Sequence, residues 1–70
     1  MSKEGKQEAI KEEEVWYIFV NNETKGPFSL RDLDVLLRTN DINSRNLAWK
    51  TGMKEWRIMS EIEEIKENIL

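Results

Sequence analysis

Apolar and polar residues along the first half of the chain are arranged in a pattern that predicts a β-hairpin. The run VWYIFV at residues 15–20 is β-branched and aromatic, and these residue types favour a pleated strand. Asn21 and Asn22 follow it, and because asparagine tolerates positive φ, the pair predicts a turn. A second extended segment over residues 23–28 would complete the hairpin.

The first strand of this hairpin is apolar on both faces. Side chains alternate along a strand, so Trp16, Ile18 and Val20 share one face. Tyr17 and Phe19 share the other face. One face can cover the core of the domain, and the second must be covered by something else or remain partly exposed.

The segment KGPFSLRDL predicts the start of a helix. Ser29 is a favourable N-cap, and Asp32 three residues later completes a capping-box pattern. Phe28 and Leu33 then occupy the two positions of a hydrophobic staple, which sets the angle at which the chain enters the helix.

This helix is predicted to span about residues 30–39 and to end at Asn40, because asparagine can adopt the left-handed conformation of a C-terminal cap. It would pack on the sheet through one apolar face. That face is made by leucines at three- and four-residue spacing: Leu30, Leu33, Leu36 and Leu37.

The rest of the chain predicts two short strands and a terminal helix. Residues 46–50 and 56–58 have the pattern of strands and are separated by a turn at Gly52. Ser60 and Glu63 form a second capping-box pattern, which predicts a helix over residues 61–69. Its narrow apolar stripe consists of isoleucines: Ile58, Ile62, Ile65 and Ile69.

The isoleucine stripe has two uses that the sequence leaves open. The terminal helix can dock on its own domain, because a short isolated helix is only marginally stable. Alternatively it can pack on a partner helix, which would make the chain a homo-oligomerisation or assembly module without proline-rich ligand binding. A monomer is favoured, with a homodimer as the alternative.

Together these elements predict an α+β fold. A small antiparallel sheet, made of the N-terminal β-hairpin plus one or two short later strands, packs on a central helix and is followed by a C-terminal helix. Residues 15–70 would form this domain. Residues 1–14 carry three lysines and five glutamates, and we expect a flexible charged tail because the segment cannot bury enough apolar surface.

Composition narrows the possible chemistry. The 70 residues include no histidine and no cysteine, which removes the usual nucleophile–base pairs, thiolate metal sites and disulfides. Three scattered glycines form no phosphate-binding loop. We therefore expect a protein that is not an enzyme and has no metal or cofactor.

Charge and hydropathy narrow the possible partners. The net charge is −3, and acidic ends flank a middle segment that holds every aromatic residue, whereas a nucleic-acid-binding protein normally presents a basic face. The longest apolar run is too short to cross a membrane, and the N-terminal residues lack the apolar stretch of a secretory signal. The expectation is a soluble cytoplasmic protein that binds no nucleic acid and does not insert into a membrane.

Aromatic residues are the candidate binding groups. Tyr17 and Phe19 are the first candidates for a surface site, because the opposite face of their strand already supplies the core. The staple favours a structural role for Phe28, and for Trp49 and Trp56 both core packing and ligand contact are open. Nearby basic residues would favour acidic or neutral partners: Lys25, Lys50, Lys54 and Arg57.

The order of these motifs resembles a known family. W-Y at 16–17, G-P-F-S at 26–29, a leucine-patterned helix and LAWKTGMKEW at 47–56 are together similar to the bacterial-type GYF-like domains, the second GYF family. The resemblance covers about residues 15–62. It implies a non-catalytic adaptor domain that binds a protein or peptide partner.

Eukaryotic GYF domains bind proline-rich peptides in an aromatic groove, and by position Trp16 matches its first tryptophan and residues 26–28 match its G-P-F element. Ile18 stands where that groove has a tyrosine, and the helix contains neither the tryptophan nor the G-Y-F triplet of the groove. The implied function is recognition of a short extended peptide, with a proline-rich peptide as one form. The candidate ligand-binding residues are Trp16, Tyr17, Phe19, Phe28, Trp49 and Trp56.

Overall fold

The computed structural model describes residues 13–70, which form an α+β arrangement as predicted. A four-stranded antiparallel sheet has the strand order β2-β1-β3-β4. The predicted flexible tail at residues 1–14 lies outside the described residues except for its last two. The elements in chain order are β1 (Trp16–Val20), β2 (Glu23–Phe28), α1 (Leu30–Arg38), β3 (Leu47–Lys50), β4 (Arg57–Ile58), a 3₁₀ helix (Met59–Glu61) and α2 (Glu63–Ile69).

The β1–β2 hairpin closes through a two-residue turn at the predicted asparagine pair. Asn21 and Asn22 both have positive φ, at 54° and 65°, and Val20 pairs with Glu23 across the turn. Two successive positive φ values are the geometry of the turn type whose twist matches that of antiparallel strands. Asparagine is among the few residues that adopt it readily, so the local sequence determines the hairpin.

A β-bulge interrupts β2 at the Gly-Pro dipeptide. Gly26 and Pro27, joined by a cis peptide bond, lie opposite the single residue Tyr17 of β1. Gly26 has a φ of 139°, and a Cβ atom at this position would lie only 2.7 Å from the carbonyl oxygen of Trp16. Glycine is therefore required here both by backbone conformation and by the close approach of the neighbouring strand.

Helix α1 begins at Leu30 as predicted and ends at Arg38, one residue before the predicted end. The Ser29 hydroxyl accepts a hydrogen bond from the Asp32 backbone N–H at 3.0 Å, and the Asp32 carboxylate accepts one from the Ser29 N–H at 3.1 Å. Asn40 follows the helix with a φ of 66°, and its N–H donates to the carbonyl of Leu37. The predicted capping box and left-handed terminus are both confirmed.

The predicted start of the C-terminal helix at residue 61 is wrong, because α2 begins at Glu63. Ser60 lies inside the 3₁₀ helix, where its N–H donates to the carbonyl of Ser44. Ile62 follows in an extended conformation and is the N-cap of α2, without a side-chain cap hydrogen bond. The Ser60–Glu63 capping box therefore does not form, because burial of Ile62 and the tertiary bond of Ser60 take precedence over the local pattern.

The core lies between the sheet and the two helices. The isoleucine stripe contributes to it, since Ile65 is fully buried, Ile62 is nearly so, and Ile69 packs against the same cluster. These three isoleucines thus pack on their own domain, whereas Ile58, predicted to belong to the same stripe, lies in β4 opposite Leu47 and outside the core cluster. No helix within residues 13–70 is long and apolar enough to cross a membrane. The buried apolar residues are Trp16, Ile18, Leu30, Leu33, Ile42, Ala48, Met59, Ile62 and Ile65.

Candidate functional site

The face of the sheet opposite the core carries no charged side chain on its paired strands. We call it the outer face. Cross-strand pairing places Tyr17 opposite Trp49, and it places Phe19 opposite both Thr24 and Leu47. Phe19 is 39% exposed and Leu47 is 37% exposed, because no element within residues 13–70 covers this face. The outer-face residues are Tyr17, Phe19, Thr24, Leu47, Trp49 and Ile58.

Three aromatic rings lie side by side at one end of the outer face. Tyr17 and Trp49 have ring centroids 5.8 Å apart and ring planes inclined at 48°. The Trp49 and Trp56 centroids are 6.4 Å apart, with planes inclined at 36°. Continuing the β3–β4 register by one residue brings Trp56 opposite Trp49, so the rings follow adjacent strands across the sheet. We call Tyr17, Trp49 and Trp56 the aromatic row.

The turn after β3 holds the central ring in place. The indole N–H of Trp49 donates to the carbonyl of Met53 at 2.8 Å. The Met53 N–H in turn donates to the carbonyl of Lys50, and the Lys50 N–H donates to the Met53 sulfur. Gly52 lies inside this turn with a φ of 105°. The Gly-Met turn therefore restrains the orientation of the Trp49 ring before any ligand arrives.

A hydrogen-bond donor without a partner in the described chain lies at each end of the aromatic row. Across the described part of the chain, neither the Tyr17 hydroxyl nor the Trp56 indole N–H has a protein partner. Trp49, between them, uses its only donor on Met53. Each end of the row thus offers one hydrogen-bond donor to water or to a ligand.

An open groove follows the aromatic row. Its volume is about 450 Å³, and Trp56 at one end of it is 37% exposed. Rings, hydroxyls and methyl groups line it, with no carboxylate and no cation. The lining residues are Tyr17, Thr24, Trp49, Thr51 and Trp56.

Two of the four basic residues expected near the site are paired within the chain. Lys50 bonds Glu64 at 2.7 Å, and its ammonium group lies 5.6 Å from the centre of the Trp16 ring. Lys25 lies 3.4 Å from the carboxylate of Glu23. These ion pairs reduce the positive charge available to a partner.

The other two basic residues lie on a second groove. Lys54 and Arg57 line a depression of about 530 Å³ together with four glutamates, so its charges are of both signs. Neither groove is therefore a basic surface.

The six predicted site residues divide between the two faces of the sheet. Tyr17, Trp49 and Trp56 come together in the aromatic row, and Phe19 lies on the same face beside Leu47. Trp16 is only 1% exposed. Phe28 pairs with it across the strands, is half-buried and packs against the core.

Sequence reasoning missed three residues of the outer face. Thr24 and Thr51 line the groove, and Leu47 extends the exposed apolar surface next to Phe19. These three residues come together only through the register of β1 with β2 and β3, and no motif in the sequence predicts that register. Within residues 13–70 no cluster of three or more acidic side chains is placed to hold a metal ion.

Comparison with known proteins identifies one family. The family described as GYF domain 2 matches residues 16–65, which run from the first residue of β1 into α2 and include the whole aromatic row. No curated protein matches the chain.

Proposed function

Because the chain belongs to the GYF domain 2 family, a family of protein-interaction modules, we propose that it recognises a short extended peptide, proline-rich in its favoured form, through the aromatic row. In this proposal the domain acts as a non-catalytic cytoplasmic adaptor. The observation that carries it is a row of three rings, with Trp56 exposed and Tyr17 and Trp49 half-buried, on a sheet face that the described chain leaves uncovered.

The shape of the row supports an extended ligand. A proline-rich segment already adopts the polyproline II conformation, so docking it on rigid rings costs little conformational entropy. Tyrosine and tryptophan offer large contact areas on side chains with few rotatable bonds. Trp49 is in addition held by the carbonyl of Met53, so less ordering remains to be done on binding.

The hydrogen-bonding groups of the row also support this ligand. A proline residue has a backbone carbonyl but no N–H, so a proline-rich peptide presents mainly acceptors. The Tyr17 hydroxyl and the Trp56 indole N–H are donors without a partner in the described chain. Donors on the domain thus complement acceptors on the peptide.

The charge and size of the groove set the expected strength of binding. The groove of about 450 Å³ has no charged lining residue, so affinity should change little with salt. Two ring-to-ring steps of 5.8 and 6.4 Å give contact for only a few peptide residues. We expect a dissociation constant of about 10 μM to 1 mM, in the range of small transient interfaces.

Nuclear magnetic resonance titration tests the proposal. An octaproline peptide flanked by Gly-Ser is added to ¹⁵N-labelled chain, and the three indole N–H signals are followed. We expect the signals of Trp49 and Trp56 to shift and that of buried Trp16 to shift least. Shifts confined to Lys54, Arg57 and the glutamates around the second groove would refute the assignment of the site.

A pair of variants completes the test. Trp56→Ala removes an end ring that is 37% exposed and should weaken octaproline binding at least about fivefold. Val35→Ala removes an exposed apolar side chain on α1 and should leave binding unchanged, since it lies away from the outer face. Equal effects of both substitutions would show that the aromatic row is not the binding surface.

A further inference from the structure

We infer that the second groove, the one lined by Lys54 and Arg57, is a separate binding site for an extended peptide of alternating acidic and basic side chains. This site is independent of the aromatic row and of the function proposed for it. Two observations carry the inference: a hydrogen-bond donor without a partner at the floor of the groove, and the distribution of charge between its two sides.

The donor at the floor of the groove is the indole N–H of Trp16. Trp16 lines the groove but is only 1% exposed, and its N–H has no protein partner in the described part of the chain. Every polar side-chain atom that is sealed from solvent within residues 13–70 does have a hydrogen-bond partner. The small exposed part of Trp16 must therefore include the indole N–H, which opens into the groove. A ligand that lies there can accept this hydrogen bond through a backbone carbonyl.

The two sides of the groove carry opposite charge. One side comes from β3, β4 and the turn between them, and we call it the sheet side. The other comes from the 3₁₀ helix and the start of α2, and we call it the helix side. The charged lining residues are Lys50, Lys54, Glu55 and Arg57 on the sheet side, and Glu61, Glu63 and Glu64 on the helix side.

Most of these charges are available to a ligand. One ion pair, between Lys50 and Glu64 at 2.7 Å, joins the two sides. The Lys50 ammonium group lies 5.6 Å from the centre of the Trp16 ring, so this pair lies next to the groove floor. The other charged residues of the groove form no ion pair within residues 13–70.

A peptide of alternating charge matches this arrangement. Successive side chains of an extended segment point in opposite directions. When glutamate and lysine alternate, all carboxylates face the basic sheet side and all ammonium groups face the acidic helix side. A peptide of the same composition with its glutamates and lysines in like pairs presents both charges to each side, so half of its side chains meet a group of their own sign.

Nuclear magnetic resonance titration with two peptides of identical composition tests the inference. One consists of four Glu-Lys repeats and the other of two Glu-Glu-Lys-Lys repeats, both with blocked termini. We expect the alternating peptide to shift the indole signal of Trp16, to leave those of Trp49 and Trp56 in place, and to bind at least about threefold more tightly than the paired peptide. Raising NaCl from about 50 to 500 mM should weaken its binding, because partly exposed ion pairs are screened by salt.

Three variants locate the peptide. Arg57→Gln and Glu61→Gln each remove one exposed charge, the first from the sheet side and the second from the helix side. Each should weaken binding of the alternating peptide about two- to fivefold. Lys25→Gln removes an exposed charge from β2, outside the groove, and should leave binding unchanged.

The results can overturn this inference without affecting the proposed function. An unchanged Trp16 signal, equal affinities for the two peptides, or equal effects of Arg57→Gln and Lys25→Gln would each overturn it. Octaproline at the aromatic row is reported by Trp49 and Trp56, whereas the alternating peptide is reported by Trp16, so each site is tested by its own signal.

Discussion

Replacing Gly26 by alanine should destabilise the domain strongly, because this residue lies where β2 bulges against β1. Its φ is 139°, a region that residues with a Cβ rarely adopt. A Cβ atom there would lie 2.7 Å from the Trp16 carbonyl oxygen and 3.0 Å from Cδ2 of Tyr17. Relief of these contacts requires β1 itself to move, since one of the crowded atoms is backbone.

The expected magnitude follows from these two effects. An unfavourable backbone conformation costs about 1–3 kcal/mol, and overpacking that shifts backbone costs about 1–3 kcal/mol more. We expect the free energy of unfolding to fall by about 2–5 kcal/mol in Gly26→Ala. A chain of 70 residues has a total stability of only about 4–10 kcal/mol, so much of it would be lost.

Gly52→Ala is the matched control. Gly52 also has a left-handed φ, at 105°, but a Cβ atom there would meet nothing within 4 Å. Gly52→Ala should therefore lower the free energy of unfolding only by the cost of the unfavourable backbone conformation, about 1–2 kcal/mol. The difference between the two variants therefore isolates the contact of Gly26 with β1.

Urea unfolding followed by tryptophan fluorescence measures both values. Buried Trp16 reports on the core in each variant. If Gly26→Ala proves no less stable than Gly52→Ala, the close approach of the two strands is not what requires glycine at this position, and the reasoning fails.

Three further predictions use the same unfolding measurement. Ser29→Ala removes the capping box and should lower the free energy of unfolding by about 1 kcal/mol. Ser60→Ala removes no cap and should change the free energy of unfolding by less than about 0.5 kcal/mol, so equal losses would contradict the cap assignment. Trp16→Ala should lower the free energy of unfolding by about 3–5 kcal/mol, and Trp56→Ala by less than half of that, because only the Trp16 ring is fully buried. The reverse order would be inconsistent with the assigned faces of the sheet. Asn22→Gly should stabilise the hairpin by about 0.5 kcal/mol at its φ of 65°, and a marked loss would count against the turn geometry.

The elements that the sequence predicted correctly depend on neighbours close in the chain. The asparagine pair forms the hairpin turn, Ser29 and Asp32 cap α1, and Asn40 ends it. Each of these features needs only a few adjacent residues, so its signal is local. The predicted alternation of β1 is confirmed for the same reason, with Trp16 in the core and Phe19 exposed on the other face.

The features that the sequence did not predict depend on residues far apart in the chain. Helix α2 begins two residues later than predicted, because the Ser60 N–H donates to the carbonyl of Ser44 and Ile62 is buried in the core. The bulge at Gly26 arises where β2 meets β1, and a pattern within either strand does not reveal it.

The candidate site shows the same division. Alternation along β1 predicted that both faces of this strand are apolar, so that the face away from the core would be covered by another element or remain partly exposed. Only the pairing of β1 with β3, and of β3 with β4, decided that Tyr17, Trp49 and Trp56 form one row. The β1–β3 register joins residues more than thirty positions apart, and it is set by the burial of one sheet face against the helices rather than by a turn between the two strands.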